Sequence, residues 1–332
     1  MGMTPRVSGG AMSHNVPNGL TVAVLMGGIG DEREVSLHSG SCVAEALRGE
    51  GVNVIAGDIT PEDMGILDEA GVDVFFISLH GRFGEDGELQ QILEDRGLCY
   101  TGSGPRASQM AFDKMASKTA FRSRGIRVPG AVELDPDTDP KDLEDDLDDW
   151  VGRIVVKPIT QGSSVGVTIT DDPHAAFEAA YDVLERFGDC MIEQFMPGRE
   201  ITVGVVDGKA LPIIEIRSKS KFYDYHAKYI DDRTDYLFET VADPHVVRRI
   251  EEAALACFEA LGCRHFGRVD FILSNDDIPY ALEVNTIPGF TTHSLLPKAA
   301  AKAGMPMGRL CRHIVNAALA ESRRTGSVPD TV

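Results

Sequence analysis

The sequence predicts an α/β fold with a parallel sheet near its start, and three observations support this prediction. Short apolar runs at 21–26, 54–58 and 72–77 are separated by stretches of helical character, which is the rhythm of β-α-β units. Residues 266–285 instead alternate apolar and polar side chains about a polar turn, as an antiparallel hairpin does. Amphipathic helices that should cover this final sheet are predicted at 244–261 and 295–322.

The composition is that of a soluble globular protein that binds neither nucleic acid nor a membrane surface. The chain has 332 residues, 43% of them apolar, and can bury a large core in two or three subdomains. Its formal net charge of -20 argues against a polyanionic partner, because such a partner requires a basic patch and the sequence has none. No apolar run is long enough to span a membrane.

Residues 1–19 and the cysteines indicate a cytoplasmic protein. The first segment is rich in Gly, Ser, Asn and Pro and lacks the apolar core of a signal peptide, so we expect it to be disordered. The cysteines number 6 and are scattered without metal-binding spacing. We therefore expect reduced thiols rather than a disulfide framework or a zinc site.

A glycine-rich loop, Gly27 to Gly30, follows the first strand. A dinucleotide-binding fingerprint would require a small residue at position 33, but that residue is Arg33, which disfavours a Rossmann site. The chain continues through Glu34 into a predicted helix. By position alone, Glu34 is a first-turn acid that complements the helix dipole.

Two further loops lie where open α/β sheets bind ligands. The loop from His80 to Gly87 follows the strand at 72–77 and therefore lies at the carboxyl end of that strand. A lone histidine there is equally compatible with a core or capping role. The loop at 100–105 precedes a predicted helix that carries Lys114.

A strand lysine and a Gly-Ser loop form the second strong signal. The acidic segment 133–149, predicted to be an amphipathic helix with a solvated face, precedes the strand that carries Lys157. Residues 161–167 read QGSSVGV; glycines let a backbone approach phosphate closely, and hydroxyl and N–H groups can hold it. The P-loop pattern is absent, so this segment is either another kind of phosphate-binding loop or a plain turn.

The hairpin at 266–285 places oxygen ligands together. Because alternate strand residues share a face, Glu283 and Asn285 lie on one side, and the partner strand can place Asp270 beside them. Carboxylate and amide oxygens suit Mg²⁺, although three solvated strand residues would have the same pattern. The strand ends in a Pro-Gly turn, and the segment up to Ser294 leads into a helix whose N-terminus can bind an anion.

These motifs resemble those of the D-alanine D-alanine ligases, which are ATP-grasp enzymes. The resemblance covers roughly residues 21–320, and the motifs occur in the same order: GG...EREVSLHSG, HGRFGEDGELQ, QGSSVGV, MIEQFMPGRE, KFYDYHAKY and LEVNTIPG. It implies an ATP-grasp fold with an N-terminal parallel α/β domain, a small central α+β lid domain and a C-terminal α+β domain with the metal site. The implied limits are 20–115, 116–205 and 206–325, after the disordered residues 1–19.

The resemblance also implies a role for individual residues. ATP would be bound by Lys114, Lys157, Ser163, Ser164, Glu193, Gln194, Phe195, Met196, Glu200, Phe222 and Lys228. Asp270, Glu283 and Asn285 would hold Mg²⁺, with two ions implied and Mn²⁺ able to substitute. The amino acids would contact Glu34, His80, Glu85, Ser294 and Leu295, with Glu34, Ser163 and Tyr229 in a hydrogen-bonded triad and with Arg268 and the Gly289 N–H as oxyanion donors.

The activity implied is the ATP-dependent joining of two D-alanine molecules through an acyl phosphate, which supplies peptidoglycan synthesis, by a homodimer. Relatives often carry Glu at the position of Gln161 and Lys at that of Gln194, whereas Tyr229 matches the relatives that use an amine as nucleophile. One alternative is a ligase that joins D-alanine to D-serine or D-lactate. Another is a non-catalytic nucleotide-binding regulator, which would lack a metal ligand or a phosphate lysine, and none is missing here.

Overall fold

A computed structural model describes residues 19–134, 138, 152–162, 165–218 and 234–325. The helix predicted within 133–149 lies almost wholly outside the described residues, as do residues 1–18. In chain order the elements are β1 (Thr21–Gly27), α1 (Arg33–Gly49), β2 (Asn53–Ile59), a 3₁₀ helix (Gly65–Asp68), β3 (Val74–Ile77), α2 (Glu88–Asp95), α3 (Pro105–Phe112), α4 (Lys114–Ser123), β4 (Ala131–Leu134), β5 (Ile154–Lys157), β6 (Thr168–Thr170), α5 (Pro173–Phe187), β7 (Cys190–Gln194), β8 (Gly198–Val206), β9 (Lys209–Ala210), β10 (Ile214–Ser218), β11 (Thr234–Phe238), α6 (Pro244–Ala260), β12 (Phe266–Ser274), β13 (Pro279–Asn285), α7 (Leu295–Lys302) and α8 (Met307–Thr325).

The first sheet is parallel, as predicted, with the order β2-β1-β3. Strand β1 is central and almost entirely buried, whereas β2 is an edge strand with mostly accessible side chains. A helix joins β1 to β2, but the predicted second helix is wrong, because only the 3₁₀ helix lies between β2 and β3. That link contains Pro61, Gly65 and Gly71, which disfavour a regular helix.

The second sheet is a small antiparallel layer with the order β4-β7-β5-β6. Helix α5 covers it and contributes Ala176, Ala180 and Val183 to the shared core. Its start is fixed by Asp172, whose side chain accepts from the His174 N–H, followed by a proline in the first turn. Lys157 at the end of β5 and Glu193 on β7 are therefore held on a packed sheet.

The third sheet has the order β11-β10-β8-β12-β13, with β9 paired to β8. Asp207 and Gly208 form the tight turn between β8 and β9, with φ angles of 49° and 69° that suit a hairpin. The predicted β12–β13 hairpin is confirmed. Helix α6 packs against this sheet through residues such as Ile250 and Phe258. Strand β8 (Gly198–Val206) belongs wholly to this sheet, while the domain limits predicted from the sequence stay a prediction.

The last two helices divide between the sheets. Helix α7 packs on β8, as expected, but α8 packs on α1 and β3, so the prediction that both cover the final sheet is wrong for α8. The reason is a core shared by the N- and C-terminal parts, in which the rings of Phe76, Phe266 and Phe290 contact one another at centroid distances of 5.4 to 6.2 Å. None of the helices in the described ranges combines the length and apolarity needed to cross a membrane.

Candidate active site

Two adjoining cavities lie where the three sheets meet. The first opens between the N-terminal loops and the β12–β13 hairpin, and the second lies between the second and third sheets. Both are lined by Lys114, Gln161, Gly162, Glu200, Asp270 and Glu283. These shared residues lie at the boundary of the two cavities, where a group bound in one cavity would meet a group bound in the other.

The β12–β13 register brings the predicted metal ligands onto one face. Asp270 lies opposite Glu283, and Arg268 lies opposite Asn285. The Arg268 guanidinium donates to both oxygens of Asp270, Nε to Oδ1 at 2.8 Å and Nη2 to Oδ2 at 2.7 Å, and Thr202 Oγ1 donates to Oδ1 at 2.5 Å. The Asp270 carboxylate is thus fixed in orientation by Arg268 on its own strand and by Thr202 on the neighbouring strand β8.

The donor set fits a hard divalent cation. In the part of the chain that the structure describes, no three His, Cys, Asp or Glu side chains are arranged to hold a metal ion, so the Asn285 amide would have to complete the set. Two carboxylates and an amide give only oxygen donors, which Mg²⁺ prefers over softer ligands. The residues present therefore fit Mg²⁺ by chemistry and by their common face.

The acid of the glycine-loop motif that lines the first cavity is Glu32, whereas Glu34 was predicted. Helix α1 begins at Arg33, so Glu34 lies in its first turn, exposed and away from both cavities. Glu32 lines the first cavity instead, and a Cβ at Gly81 would lie 2.8 Å from its Oε2 atom. Each helical residue turns the chain by about 100°, which puts Glu34 on nearly the opposite side from Glu32. The structure therefore places Glu32 in the cavity and leaves Glu34 in the position of a first-turn acid.

An ion pair holds the loop that precedes Glu32. Arg33 Nη1 donates to the Gly28 carbonyl oxygen and to Asp58 Oδ1, both at 2.9 Å. Gly27 has a φ of 92°, and a Cβ there would lie 1.9 Å from Asp58 Oδ1. Only glycine allows this approach, so the loop geometry that directs Glu32 into the cavity depends on it.

His80 and Glu85 also line the first cavity, as predicted from the second loop. Burial, with a contribution from the Arg268 charge, lowers the pKa of His80 to about 4, so the ring is neutral near pH 7. Burial and then the nearby Glu32 carboxylate raise the pKa of Glu85 well above its usual range. The Gly81 N–H donates to Glu85 Oε2 at 2.6 Å. Two acids that oppose each other's ionisation in an enclosed space are suited to an ammonium group between them.

Protonation of His80 is expected to destabilise the fold at acid pH. The folded-state pKa of about 4 lies below the ordinary value of 6.5, so the folded state binds fewer protons and loses stability as the pH falls from 6.5 toward 4. Between pH 6.5 and pH 5 this loss is about 2 kcal/mol in the free energy of unfolding.

Urea unfolding of the wild type and of His80→Gln at pH 7.5 and pH 5.0 checks this expectation. The raised pKa of Glu85 acts in the opposite direction over part of this range, and comparing the two proteins cancels it. We expect the free energy of unfolding to fall more in the wild type than in the variant. An equal fall in both proteins would contradict a buried neutral imidazole.

The loop after β13 is tied to α1. The Phe290 N–H donates to Ser39 Oγ at 3.2 Å, and the Thr291 N–H donates to Ser294 Oγ at 2.9 Å. A Cβ at Gly289 would lie 2.7 Å from Ser294 Oγ, so this glycine lets the two segments approach. Gly289, Ser294 and Leu295 all line the first cavity, and Leu295 begins α7, where N–H groups are not used within the helix.

Lys114 reaches the base of the Gly-Ser loop. Its Nζ donates to the carbonyl oxygens of Ile159 at 3.2 Å and Gln161 at 2.5 Å, and it lies 3.8 Å from Glu283 Oε2. Burial lowers the pKa of Lys114 from its ordinary value, although the Glu283 carboxylate opposes this effect. An ammonium group thus lies at the boundary of the two cavities, beside a predicted metal ligand.

Glu193 carries two lysine partners. Lys157 Nζ pairs with Glu193 Oε2 at 2.7 Å, and the fully buried Lys118 pairs with Oε1. Burial alone would raise the pKa of Glu193, but the two ammonium groups lower it below its usual value. Lys118 comes from α4 in the core of the third sheet, so this ion pair joins the second sheet to the third.

The second cavity has the lining expected for a nucleotide base. Val155, Ile169, Ile272 and Leu282 form apolar walls, and the guanidinium carbon of Arg153 lies 3.8 Å from the ring centroid of Phe195. Such a slot, apolar with a few polar groups at one end, is typical of a small-molecule site. The predicted nucleotide contacts that line it are Lys114, Lys157, Glu193, Gln194, Phe195, Met196 and Glu200.

Five predicted site residues cannot be placed. Ser163, Ser164, Phe222, Lys228 and Tyr229 lie outside the described residues. The sequence did not reveal two further charged groups, Glu32 in the first cavity and Lys118 behind the second. Glu32 belongs to an Asp-Glu-Arg-Glu run in which the sequence does not say which acid precedes the helix. Lys118 lies four residues after Lys114, a spacing that puts both on one helix face and could have revealed it.

Comparison with known proteins agrees with this geometry. The family model "D-ala D-ala ligase C-terminus" matches residues 123–316. A curated D-alanine D-alanine ligase of Hydrogenovibrio crunogenus is 39% identical over 298 residues, which are 90% of this chain and 94% of that protein. A crystal structure of the D-alanine D-alanine ligase from Bacillus anthracis superposes with a TM-score of 0.81 at 36% identity, covering 92% of this chain and 100% of that one. The same enzyme complexed with ATP gives a TM-score of 0.80 at 34% identity, with the same coverage.

The fold and the site therefore define a carboxylate-amine ligase with the ATP-grasp fold. Within that class, the chain belongs to the D-alanine D-alanine ligase family.

Proposed function

We propose that this protein uses ATP to join two molecules of D-alanine into D-alanyl-D-alanine for peptidoglycan synthesis. One observation carries the proposal: the acid-lined first cavity and the largely apolar second cavity share Lys114, Asp270 and Glu283. A carboxylate bound in the first cavity would face the terminal phosphate of a nucleotide bound in the second. Membership of the family supports the identity of the substrates.

The chemistry requires activation of the first carboxylate. A carboxylate and an ammonium group do not condense at a useful rate in water, so one oxygen of the first D-alanine attacks the γ-phosphorus of ATP. This step releases ADP and leaves an acyl phosphate. Phosphoryl transfer depends mainly on positioning and on neutralising charge. Lys114 and Lys157 supply positive charge beside the phosphates, and Glu32 with Glu85 holds the ammonium group of the first amino acid.

Asp270, Glu283 and Asn285 are the residues that would hold Mg²⁺. We propose two ions, which would neutralise the phosphate oxygens and orient the transferred group, with Mn²⁺ as a substitute. Arg268 fixes the Asp270 carboxylate through two hydrogen bonds and so keeps this ligand in place.

The amine of the second D-alanine then attacks the carbonyl carbon of the acyl phosphate. Arg268 and the Gly289 N–H stabilise the tetrahedral oxyanion, and inorganic phosphate leaves as the peptide bond forms. Ser294 and the Leu295 N–H bind the carboxylate of the second amino acid. By the family resemblance, Ser163, Ser164, Phe222 and Lys228 contact ATP, and Ser163 and Tyr229 belong to the hydrogen-bonded triad. The loops that carry these residues close the site against water.

The same resemblance supports three further proposals: a cytoplasmic homodimer, domain limits of 20–115, 116–205 and 206–325, and D-alanine as the favoured second substrate. Light scattering tests the dimer, because a monomer mass would contradict it. The second position is tested by pairing D-alanine with D-serine or D-lactate. We expect the mixed products to be minor.

Phosphate release with product identification by mass tests the proposed function. The purified protein is given ATP, Mg²⁺ and D-alanine, and one phosphate should appear for each D-alanyl-D-alanine formed. Omitting Mg²⁺ or D-alanine should abolish both products. Demonstrated ATP binding without any dipeptide would contradict the assignment.

A further inference from the structure

Lys118 is a buried charged residue that takes no part in the proposed reaction. It lies on α4 with its side chain fully buried, and its ammonium group contacts Glu193 Oε1. It does not line either of the two cavities. Burying a cation is costly unless the pairing is good, so a lysine in this position calls for a reason.

Glu193 is held from two directions. Lys157, on the neighbouring strand β5, contacts Oε2 from the side of the nucleotide slot, and both residues line that slot. Lys118 contacts the other oxygen from behind, out of the third sheet's core. The carboxylate therefore has one partner at the ligand surface and one that no ligand can reach.

The two lysines also compete. Burial lowers the pKa of Lys118 to about 8, and the Lys157 charge adds to this effect, while Glu193 opposes it. Two ammonium groups on one carboxylate repel each other, so moving Lys157 toward a phosphate relieves that repulsion. Without Lys118 the same movement would leave a buried carboxylate without a cation, which costs several kcal/mol in proteins.

We propose that Lys118 is a positioning residue of the nucleotide site: it holds Glu193 from behind, so that Lys157 can leave the carboxylate for the phosphates when nucleotide binds. This inference rests on the proposed function for the role of Lys157. The Lys118–Glu193 ion pair, which joins the second sheet to the third, then has a role beyond stability. It stays in place while Lys157 exchanges Glu193 for the phosphates.

Direct binding of ADP with Mg²⁺, measured by calorimetry, tests the proposal without turnover. Lys118→Met should raise the dissociation constant for ADP by about 10- to 100-fold, because Lys157 is then retained by Glu193. The KM for ATP should rise in parallel, with kcat and the KM for D-alanine changed far less. Lys302→Met is the matched control, since Lys302 pairs with Glu239 at the surface and should leave ADP binding within about twofold of wild type.

A double-mutant cycle with Glu193→Gln separates positioning from a structural role. Once the carboxylate is gone, adding Lys118→Met should change ADP affinity by less than about twofold. If Lys118→Met does not fold, Lys118→Gln replaces it, with the same expectation. A variant that is less stable to heat but binds ADP as well as wild type would overturn the proposal.

The proposal and the proposed function can fail separately. Wild-type protein that binds ADP but makes no dipeptide would contradict the function alone, and the binding cycle would still decide the role of Lys118. Normal dipeptide synthesis with unchanged ADP affinity in Lys118→Met would contradict this inference alone. Wild-type protein that binds no ADP would overturn both.

Discussion

Replacing Glu32 with glutamine is expected to lower kcat/KM for D-alanine by about 100- to 1000-fold, because the substrate ammonium group loses one of its two acidic partners, and the pKa of the other, Glu85, is raised. Glu32 lies within the first cavity, close to Gly81 and beside Glu85. The amide has nearly the same shape, so the loss reflects charge rather than packing. Initial rates at varied D-alanine and saturating ATP measure the effect.

Glu34→Gln is the matched control two residues away. Glu34 is exposed on the first turn of α1, and its replacement should change kcat/KM by less than about twofold. ADP binding should be unchanged in both variants. A large loss for Glu34→Gln together with normal activity of Glu32→Gln would restore the prediction made from the sequence and refute the placement of Glu32.

Arg268→Met is expected to lower kcat by about 1000-fold, which is at the upper end for removing one oxyanion donor. The loss of kcat should be large because Arg268 contributes in two ways. It is proposed to stabilise the tetrahedral oxyanion, and its two hydrogen bonds hold the Asp270 carboxylate in place. Without it, Asp270 and Glu283 face each other across the hairpin without that neutralising charge. The KM for ATP should change much less than kcat.

Arg217→Met provides the comparison for Arg268→Met. Arg217 also pairs with a carboxylate, Glu215, but it lies on β10, is exposed and lines neither cavity. Its loss should leave kcat within about twofold of wild type, as expected for a surface ion pair. Activity of Arg268→Met near that of wild type would refute its role in the oxyanion step.

The hairpin and its ligands could be predicted because strand geometry is local. Alternation alone put Glu283 and Asn285 on one face, whereas Asp270 lies opposite Glu283 only because the pairing register shifts by one residue between Asp270 and Phe271, which the sequence did not reveal. The parallel N-terminal sheet followed from the β-α-β rhythm. Motif order then indicated which loops would meet, and the cavities contain nearly all the predicted residues that the structure describes.

The features that were not predicted depend on the residue at which an element begins and on its packing against distant segments of the chain. Glu32 was missed because a one- or two-residue shift in the start of α1 exchanges the acid that lines the cavity with the exposed acid. Lys118 was missed because its partner Glu193 is far away in sequence. The packing of α8 on α1 and β3 likewise depends on a core shared by distant segments, which helical periodicity cannot reveal.

D-alanine labelled with ¹⁸O in both carboxylate oxygens tests whether ligation passes through an acyl phosphate. One labelled oxygen of the first D-alanine becomes the bridge to the γ-phosphorus and leaves with the phosphate when the amine attacks. We therefore expect D-alanyl-D-alanine that retains three labelled oxygens, and one ¹⁸O in each inorganic phosphate. Unlabelled phosphate, or phosphate release without dipeptide, would refute the acyl-phosphate mechanism.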